Sequence, residues 1–493
     1  MDLISLDTII AAAIAVLQLK ILFWILIGVF VGFIFGASPG LTATTGVAIA
    51  TPLTFGASFE VAMALLLGIY SAGYFAGSIP AILINTPGSP GNAATAIDGY
   101  RLARRGKADM VISLAIVSSV IGGLFSIAIL MFAAPVLSNF ALSFTSIEYF
   151  ALGLFGLICV SAVSGGALIK GIIGAAIGMF LGTVGIDDVG GTTRFTMGLS
   201  ELQGGVPLIP TLIAFFAVAE MLVQASSSGS ASVLPPQQSH KLLRLPGLVF
   251  RHSWLLIKSS IIGTFIGILP GTGPTIAAWI AYGQSGRDKA KEGGEEEAEV
   301  KGVIAAESAN NAVTGGALVP LLTLGIPGDT VTAVLIGALL IQGIDPGPFF
   351  IIEHGDLFAQ ILFILVIAAL MTLVLGLGAR RFLPKILTIP SRILLPVIGV
   401  LCVTGAFAIN NIPFEVGIIA VLGIAGYILS RFGFPMAPIV IGLVLGPIIE
   451  VNLRNGLIAN DMDLTIFVTR PISAAMLIAI IVTLLWSVRR SRQ

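Results

Sequence analysis

At 493 residues, of which 56% are hydrophobic and 10% charged, and with a mean hydropathy of +1.05, the chain carries more apolar surface than a water-soluble fold of its length can bury. Its 25 basic and 25 acidic residues cancel, so no basic field exists to recruit nucleic acid or to hold the chain on an anionic surface. Cys159 and Cys402 lie in apolar runs with no CxxC spacing and no histidine nearby, which argues against a disulfide framework or a zinc site and leaves them as packing residues.

In chain order, the acidic N-terminus has no cleavage-type end to its apolar region, so a removed signal peptide is not expected. The apolar runs 21–35, 108–135, 206–225, 358–378, 412–430 and 472–488 reach or approach the length that a hydrocarbon core of about 30 Å demands of a helix. Strict alternation in segments of about ten residues, the mark of a membrane barrel, does not occur. The expected fold is an all-α polytopic membrane protein of roughly 10–13 membrane helices and half-helices, a range left open because broken segments can span or re-enter.

Glycine, proline and threonine recur inside these runs in a fixed pattern. Gly32, Gly36, Pro39, Gly40 and Thr44 return as Gly263, Gly267, Pro270, Gly271 and Thr275, each 231 positions later. Pro80 precedes Pro87-Gly88 by seven residues, and Pro320 precedes Pro327-Gly328 by the same seven, at an offset of 240. The chain is therefore read as a duplication with two broken-helix sites per half. Residues 15–225 form the first repeat, 226–257 a linker whose stretch around 241–258 reads either as an interfacial amphipathic segment or as a simple connecting loop with positive charges, 258–450 the second repeat, and 470–488 an added C-terminal membrane helix.

Lysine and arginine set orientation. Arg101, Arg104, Arg105 and Lys107 mark a cytoplasmic loop, whereas the corresponding 341–347 has no basic residue. The contrast then reverses: 136–147 has none, while the segment after Gly378 has Arg380, Arg381, Lys385 and Arg392. Both comparisons predict inverted-topology repeats. Arg489, Arg490 and Arg492 are placed on the cytoplasmic side, and the mixed loop 283–301 decides nothing.

Proline lacks the backbone donor and glycine tolerates angles that other residues resist, so Pro-Gly inside an apolar run ends or unwinds a helix. The freed N–H and C=O groups cost several kcal/mol each in hydrocarbon, so such backbone persists where protein, water or a ligand satisfies it. Hydroxyls and amides crowd the four breaks, which gives the expected substrate-binding set: Ser38, Pro39, Gly40, Thr42 and Thr44; Asn85, Thr86, Pro87, Gly88 and Ser89; Gly271, Thr272 and Thr275; Pro327, Gly328 and Thr330. With no Lys, Arg or His in these clusters, an anion would be held by helix N-termini, hydroxyls, amides and co-bound cations. Asp329 and Glu307, acidic in apolar surroundings, with Asn310, Asn311 and Thr332, form the expected cation-binding set. Glu148, Lys170 and Glu220 read as helix-end residues, and Asp187-Asp188 with Arg194 as a solvated loop. The plainer reading of Gly32/Gly36 and Gly263/Gly267 is close helix packing.

Catalytic readings find no support. His240, His252 and His354 fit no metal-hydrolase pattern, and the glycine-rich stretch 271–275 lacks the GK[ST] ending of a phosphate loop. Ser164 with Gly165 has no histidine in a plausible partner helix. No cofactor is expected beyond Na⁺ as a coupling ion, and the chain is not expected to be an enzyme.

Gly36-Ala-Ser-Pro-Gly-Leu41, Asn85-Thr-Pro-Gly-Ser-Pro-Gly91 with Asp98-Gly99-Tyr100, Gly267-Ile-Leu-Pro-Gly271, and Leu324-Gly-Ile-Pro-Gly-Asp329 running to Gly343-Ile-Asp-Pro-Gly-Pro348 carry a resemblance over nearly the whole chain. The chain resembles the large membrane subunit of the tripartite tricarboxylate transporters. That resemblance implies a multi-pass permease of the bacterial inner membrane, working with a small membrane subunit and a periplasmic solute-binding protein that delivers a carboxylate. It also implies Na⁺- or H⁺-coupled uptake of citrate, another tricarboxylate or a related carboxylate by alternating access. The alternatives are a self-sufficient carboxylate or organic-anion symporter and, more remotely, an intramembrane enzyme acting on a lipid-borne substrate.

Overall fold

The computed structural model describes residues 5–163, 168–226, 245–286 and 294–491. Ser164, Gly165, His240, Lys241, Arg244, Arg492 and most of the joint between the halves lie outside the described residues.

The first part comprises α1 (Leu6–Val16), α2 (Leu19–Ala37), α3 (Ala43–Leu53), α4 (Phe59–Ala76), α5 (Ser78–Ile84), α6 (Ala93–Leu102), α7 (Ala108–Ala141), α8 (Ser146–Val163) and α9 (Leu168–Gly182). A loop follows, carrying a two-residue antiparallel ribbon (Gly185–Ile186 with Thr193–Arg194). Next comes α10 (Leu208–Ile213), continued through a wider turn at Ala214–Val218 into α11 (Ala219–Ser226). The second part comprises α12 (Leu245–Arg251), α13 (Ser253–Ile268), α14 (Gly273–Gly283), α15 (Glu295–Leu324), α16 (Thr330–Ile341), α17 (Phe350–Glu353), α18 (Gly355–Ala379), α19 (Ser391–Asn410), α20 (Pro413–Arg431) and α21 (Met436–Ile458). Two more helices, α22 (Ile466–Thr469) and α23 (Pro471–Ser491), close the chain. Among the described residues, eight helical stretches are long and apolar enough to cross a membrane, and shorter apolar helices flank them. The protein is an all-α polytopic membrane protein.

The four predicted interruptions are real breaks and agree in detail across the halves. After α2, Gly40 takes φ +81°, and after α13, Gly271 takes φ +73°. After α5, Asn85 takes φ +55° and Thr86 N–H donates to Pro80 O at 3.3 Å. After α15, Gly325 takes φ +69° and Ile326 N–H donates to Pro320 O at 3.3 Å. Asn85 and Gly325 are left-handed caps that end their helices without leaving the last carbonyls unpaired, whereas Gly40 and Gly271 turn the chain just beyond extended caps at Ser38 and Leu269. Asparagine is one of the few side chains besides glycine that adopts the left-handed conformation readily.

Ion pairs and hydrogen bonds fix the ends of the bundle. Arg105 pairs with Glu299 at 2.9 Å, Lys107 with Glu296, Arg251 with Glu297 at 3.1 Å and Arg380 with Asp109 at 2.8 Å. The basic loop 101–107, the start of α15 and the segment after α18 therefore share one end. Lys258 Nζ donates to Gln284 O at 3.3 Å, so α13 and α14 form a hairpin that enters and leaves at this basic end. α7 is 34 residues long, about 50 Å at 1.5 Å per residue. Near its far end Ser138 Oγ donates to Pro348 O at 2.5 Å. Gln342 Nε2 donates to Thr54 O at 3.3 Å, which brings the end of α3 to the same far end. α2 runs alongside α4 in the same sense, because Gly28, Gly32 and Gly36 face Leu65 O, Ile69 O and Gly73 O in succession. The α2–α3 hairpin thus opens at the far end and the α13–α14 hairpin at the basic end, the inverted relation read from the lysines and arginines.

Close packing accounts for much of the glycine. A Cβ at Gly36 would stand 2.3 Å from Gly73 O, and one at Gly263 would stand 2.3 Å from Ala309 O. The packing reading of these glycines is thus correct, while Gly40 and Gly271 serve the breaks. Cys159 and Cys402 are both buried and free.

The Asp187–Arg194 loop departs from expectation. In place of a solvated surface, Asp187 is buried at 6% exposure, with Arg454 Nη1 2.7 Å from both of its oxygens. Arg194 reaches Glu450 at 2.5 Å, and Asp187 also accepts from Val189 and Gly190 N–H. The arginine at 454 and the glutamate at 450, more than 250 positions away in sequence, convert the loop into an ion-paired cluster joined to α21. Hydrogen bonding by Arg454, opposed by partial burial and aided by the two backbone amides, lowers the Asp187 carboxyl to about 2.

Gly36→Ala is expected to destabilise the protein by about 1–3 kcal/mol, because α2 must move off α4 to admit the methyl group. Gly417→Ala, where nothing lies within 4 Å, should have no such effect, and thermal unfolding in detergent reads the contrast. The Asp187 carboxyl is depressed in the fold, so its stabilisation is complete above the ordinary carboxylate value near 3.9 and fades as pH falls towards about 2. Asp187→Asn should therefore lower the melting temperature by a constant amount between pH 5 and 8, with the gap narrowing below about pH 4 in thermal melts across that range.

Candidate functional site

The tips of both hairpins and the two remaining breaks meet. Gly271 N–H donates to Gly328 O at 2.9 Å, joining the α13–α14 tip to the α15–α16 break. Thr44 Oγ1 and Thr330 Oγ1 lie 2.8 Å apart, joining the α2–α3 tip to the start of α16. A Cβ on Gly88 would stand 2.3 Å from Gly36 O, so the α5–α6 break packs on the end of α2. Beside this junction is a cavity of about 900 Å³.

Four helix starts line it. Thr42, the N-cap of α3, is followed on the wall by Thr44 and Thr45; Thr272, the N-cap of α14, is followed by Gly273 and Pro274. Asp329 and Thr330 begin α16, and Ser89, Pro90 and Gly91 lead into α6. The first turn of a helix leaves N–H groups without intrahelical acceptors and carries a partial positive charge, so convergent starts favour an anion. The ionisable side chains of the wall are Asp329, Glu220 and Tyr74, with no Lys, Arg or His among the described lining residues. From the tips the wall continues through Trp279, Glu220 and Pro435 towards the basic end.

A second cavity, of about 870 Å³, lies on the other side of the α15–α16 break. It is lined by Leu324 and Gly325 at its floor and by Asp187, Arg194, Asp345 and Glu450 towards the far end. Residues 324–330 are thus the partition between the two spaces, with α10–α11 and α21 bordering both.

The residues expected at the site divide into three groups. Thr42, Thr44, Ser89, Gly271, Thr272, Thr275, Asp329 and Thr330 line the large cavity. Ser38, Pro39, Gly40, Asn85, Thr86, Pro87, Gly88, Pro327 and Gly328 do not; they shape the breaks behind it. Ser38 Oγ, for example, caps its own helix at Ile34 O, and Thr86 Oγ1 turns to Ile84 O. Of the expected cation set, Asp329 and Thr332 form a reciprocal capping box at the start of α16. Asp329 Oδ2 also accepts from Tyr70 at 2.7 Å and Tyr74 at 2.6 Å. Glu307, Asn310 and Asn311 lie apart from it on buried α15. Glu307 Oε1 accepts from Thr95 Oγ1 at 2.5 Å, and Oε2 from Ser119 Oγ at 2.9 Å. Asn311 donates to the same Ser119 hydroxyl at 2.8 Å.

Tyr70, Tyr74, Thr95, Ser119 and the cavity position of Glu220 are additions from the structure. Tyr70 and Tyr74 stand four residues apart on α4, a spacing that sets them apart from no ordinary core residue. Glu148, read as a helix-end residue, is buried and pairs with Arg470 at 2.5 Å. Lys170 Nζ donates to Phe432 O at 2.7 Å from the first turn of α9.

Residues 22–441 match the family described as the tripartite tricarboxylate transporter TctA family. The chain is 37% identical over 476 residues to an uncharacterized 52.8 kDa protein in the TAR-I ttuC' 3'region of Agrobacterium vitis, covering 95% of this chain and 94% of that protein. It is 40% identical over 237 residues to an uncharacterized protein in the TAR-II ttuC' 3'region of the same organism, covering 47% of this chain and 97% of that protein. No solved structure matches. With its paired broken hairpins set in a polytopic helical membrane fold, this chain belongs to the tripartite tricarboxylate transporter TctA family.

Proposed function

We propose that the chain is the large permease subunit of a binding-protein-dependent secondary transporter in a bacterial inner membrane. It takes up a tricarboxylate such as citrate, or a related carboxylate, by alternating access. A small membrane subunit and a periplasmic solute-binding protein are its partners, and the two repeats, 15–225 and 258–450, with the 226–257 linker and the 470–488 helix, are its working parts. The convergence of four helix starts on one cavity carries this reading, because it supplies an anion site without a fixed basic side chain. Thr42, Thr44, Ser89, Thr272, Thr275 and Thr330 would donate to substrate oxygens, and the glycines and prolines of the breaks would hold the helix starts in place.

The two cavities divided by residues 324–330 favour alternating access: the space lined by the site reaches the basic end, and the far-end space stops at Gly325. Coupling follows from electrostatics. An anion entering a negative interior works against about 2.3 kcal/mol per charge per 100 mV, so cations must travel with it. Na⁺ or H⁺ serves, and the buried acidic, hydroxyl and amide groups of Asp329, Thr332, Glu307, Asn310 and Asn311 are the candidates to receive it.

Uptake of radiolabelled citrate into proteoliposomes bearing this chain, its small subunit and the binding protein is expected to require an inward Na⁺ or H⁺ gradient and to stop when the binding protein is withheld. Thr44→Val together with Thr330→Val should lower uptake at least tenfold. Undiminished uptake by this chain alone would instead identify a self-sufficient symporter, and failure across a carboxylate panel would overturn the reading.

A further inference from the structure

One oxygen-rich cluster stands beside the large cavity, behind the wall residues Tyr74 and Ser89. Glu307 and Asn310, one turn apart on α15, are both fully buried, and so is Asn92 at the start of α6. Asn92 Nδ2 lies 3.2 Å from Tyr74 O and 3.5 Å from Glu307 Oε1. Asn310 Nδ2 donates to the same Tyr74 carbonyl at 3.3 Å, and Ser89 Oγ donates to Asn92 Oδ1 at 2.7 Å. The donors are thus spent on holding the cluster together. One oxygen has no partner: Asn310 Oδ1. It points towards Gly91, where an added Cβ would stand 2.6 Å from it, and a Cβ on Gly77 would stand 2.2 Å from Asn92 Oδ1. Glycine at both positions keeps carbon out of the nest.

We propose that this nest binds a monovalent cation, with the Glu307 carboxylate, Asn310 Oδ1, Asn92 Oδ1 and the Tyr74 carbonyl as ligand oxygens. The assignment rests on the cation-coupled reading above and narrows it to one place. Three features support it. The carboxylate is surrounded by hydroxyls and amides, so its charge has no fixed counterpart in the nest, and buried charge is retained where it is compensated. One negative charge among neutral oxygens balances one positive charge, whereas a divalent ion would leave an excess in a medium of low dielectric. The ligands come from both repeats, Tyr74 and Asn92 from the first and Glu307 and Asn310 from the second, so occupancy ties the halves together. Tyr74 also joins the nest to the cavity: its carbonyl faces the nest, and its hydroxyl donates to Asp329, which lines the cavity. Asp329, whose two oxygens already accept from Thr332, Tyr70 and Tyr74, is a positioning residue for the start of α16 in this assignment.

The test is thermal unfolding of the full chain in lipid nanodiscs, titrated with NaCl against choline chloride at constant ionic strength, with no carboxylate present. The wild type is expected to show saturable stabilisation by Na⁺ and none by choline. Glu307→Gln, which keeps shape and hydrogen bonding but removes the charge, should raise the half-saturating Na⁺ concentration at least tenfold. Asn310→Ala, which deletes the unpartnered oxygen, should do the same and reads the same site if the glutamine variant does not assemble. Wild-type Na⁺ titration in both variants would overturn the assignment. So would a wild type indifferent to Na⁺, including one stabilised by acid through Glu307, since the nest would then be a proton site. Failure here is separable from failure of the transport reading: Na⁺ binding without driven uptake would count against the latter, and Na⁺-driven uptake surviving Glu307→Gln would count against the nest.

Discussion

Everything in this fold depends on satisfying broken backbone where no water is available to do it. Four interruptions in apolar sequence would each expose peptide groups at a cost of several kcal/mol in hydrocarbon. The protein sets the breaks against one another and against their own helices: Gly271 N–H on Gly328 O, Gly88 N–H on Gly77 O, Thr86 N–H on Pro80 O and Ile326 N–H on Pro320 O. That arrangement demands close approach of backbones, which is why Gly36, Gly77, Gly88 and Gly328 sit where a Cβ would overlap a neighbour. Small residues at the junction and helix starts at the cavity are thus two results of the same constraint.

Inversion then assigns a purpose to the duplication. Had both hairpins entered from one side, their tips would stack and leave one opening. Entering from opposite ends, they bring their tips to the same depth and leave a cavity on each side of the partition at 324–330. The far-end cavity is walled by Asp187, Arg194 and Glu450, a cluster that ties the loop after α9 to α21. The corresponding connection in the second half, between Arg431 and Met436, is only a short turn. The breaks are therefore alike in the two halves, while the connections at the surface differ.

Legibility in the sequence followed the range of the interactions. The breaks were readable because proline and glycine act on their own peptide units, and the inversion was readable because lysine and arginine report the side of the membrane locally. Asn85 shows the boundary: its place at a break was evident, but it caps α5 at an exposed position away from the cavity wall, and no spacing rule reports that. Asp187 shows it more sharply, since a solvated loop and a buried ion-pair cluster differ only by Arg454 and Glu450, and pairing across that separation is a property of the packed bundle. Glu307 was conspicuous as a charge in apolar sequence, yet Thr95 and Ser119, which receive it, sit in unremarkable helical stretches. Tyr70 and Tyr74 were hidden for the same reason, because a tyrosine four residues from another in an apolar helix reads as core.

The lack of a basic side chain among the described residues lining the cavity suits the proposed transport of an anion. A guanidinium in a low-dielectric cavity would hold a carboxylate through short, charge-assisted hydrogen bonds on both sides of the transport cycle. Release would then be slow wherever capture was strong, since a ligand bound equally well in both states shifts neither. Partial charges at helix starts attract more weakly and are displaced when the helix bearing them moves, so affinity can change with conformation. On the proposed reading, a co-transported cation would supply the remaining attraction and leave by its own gradient. A site built from Thr42, Thr272 and Thr330 at helix starts, with its fixed acids turned to tyrosines, amides and caps, is suited to an anion that must be gripped on one side and relinquished on the other.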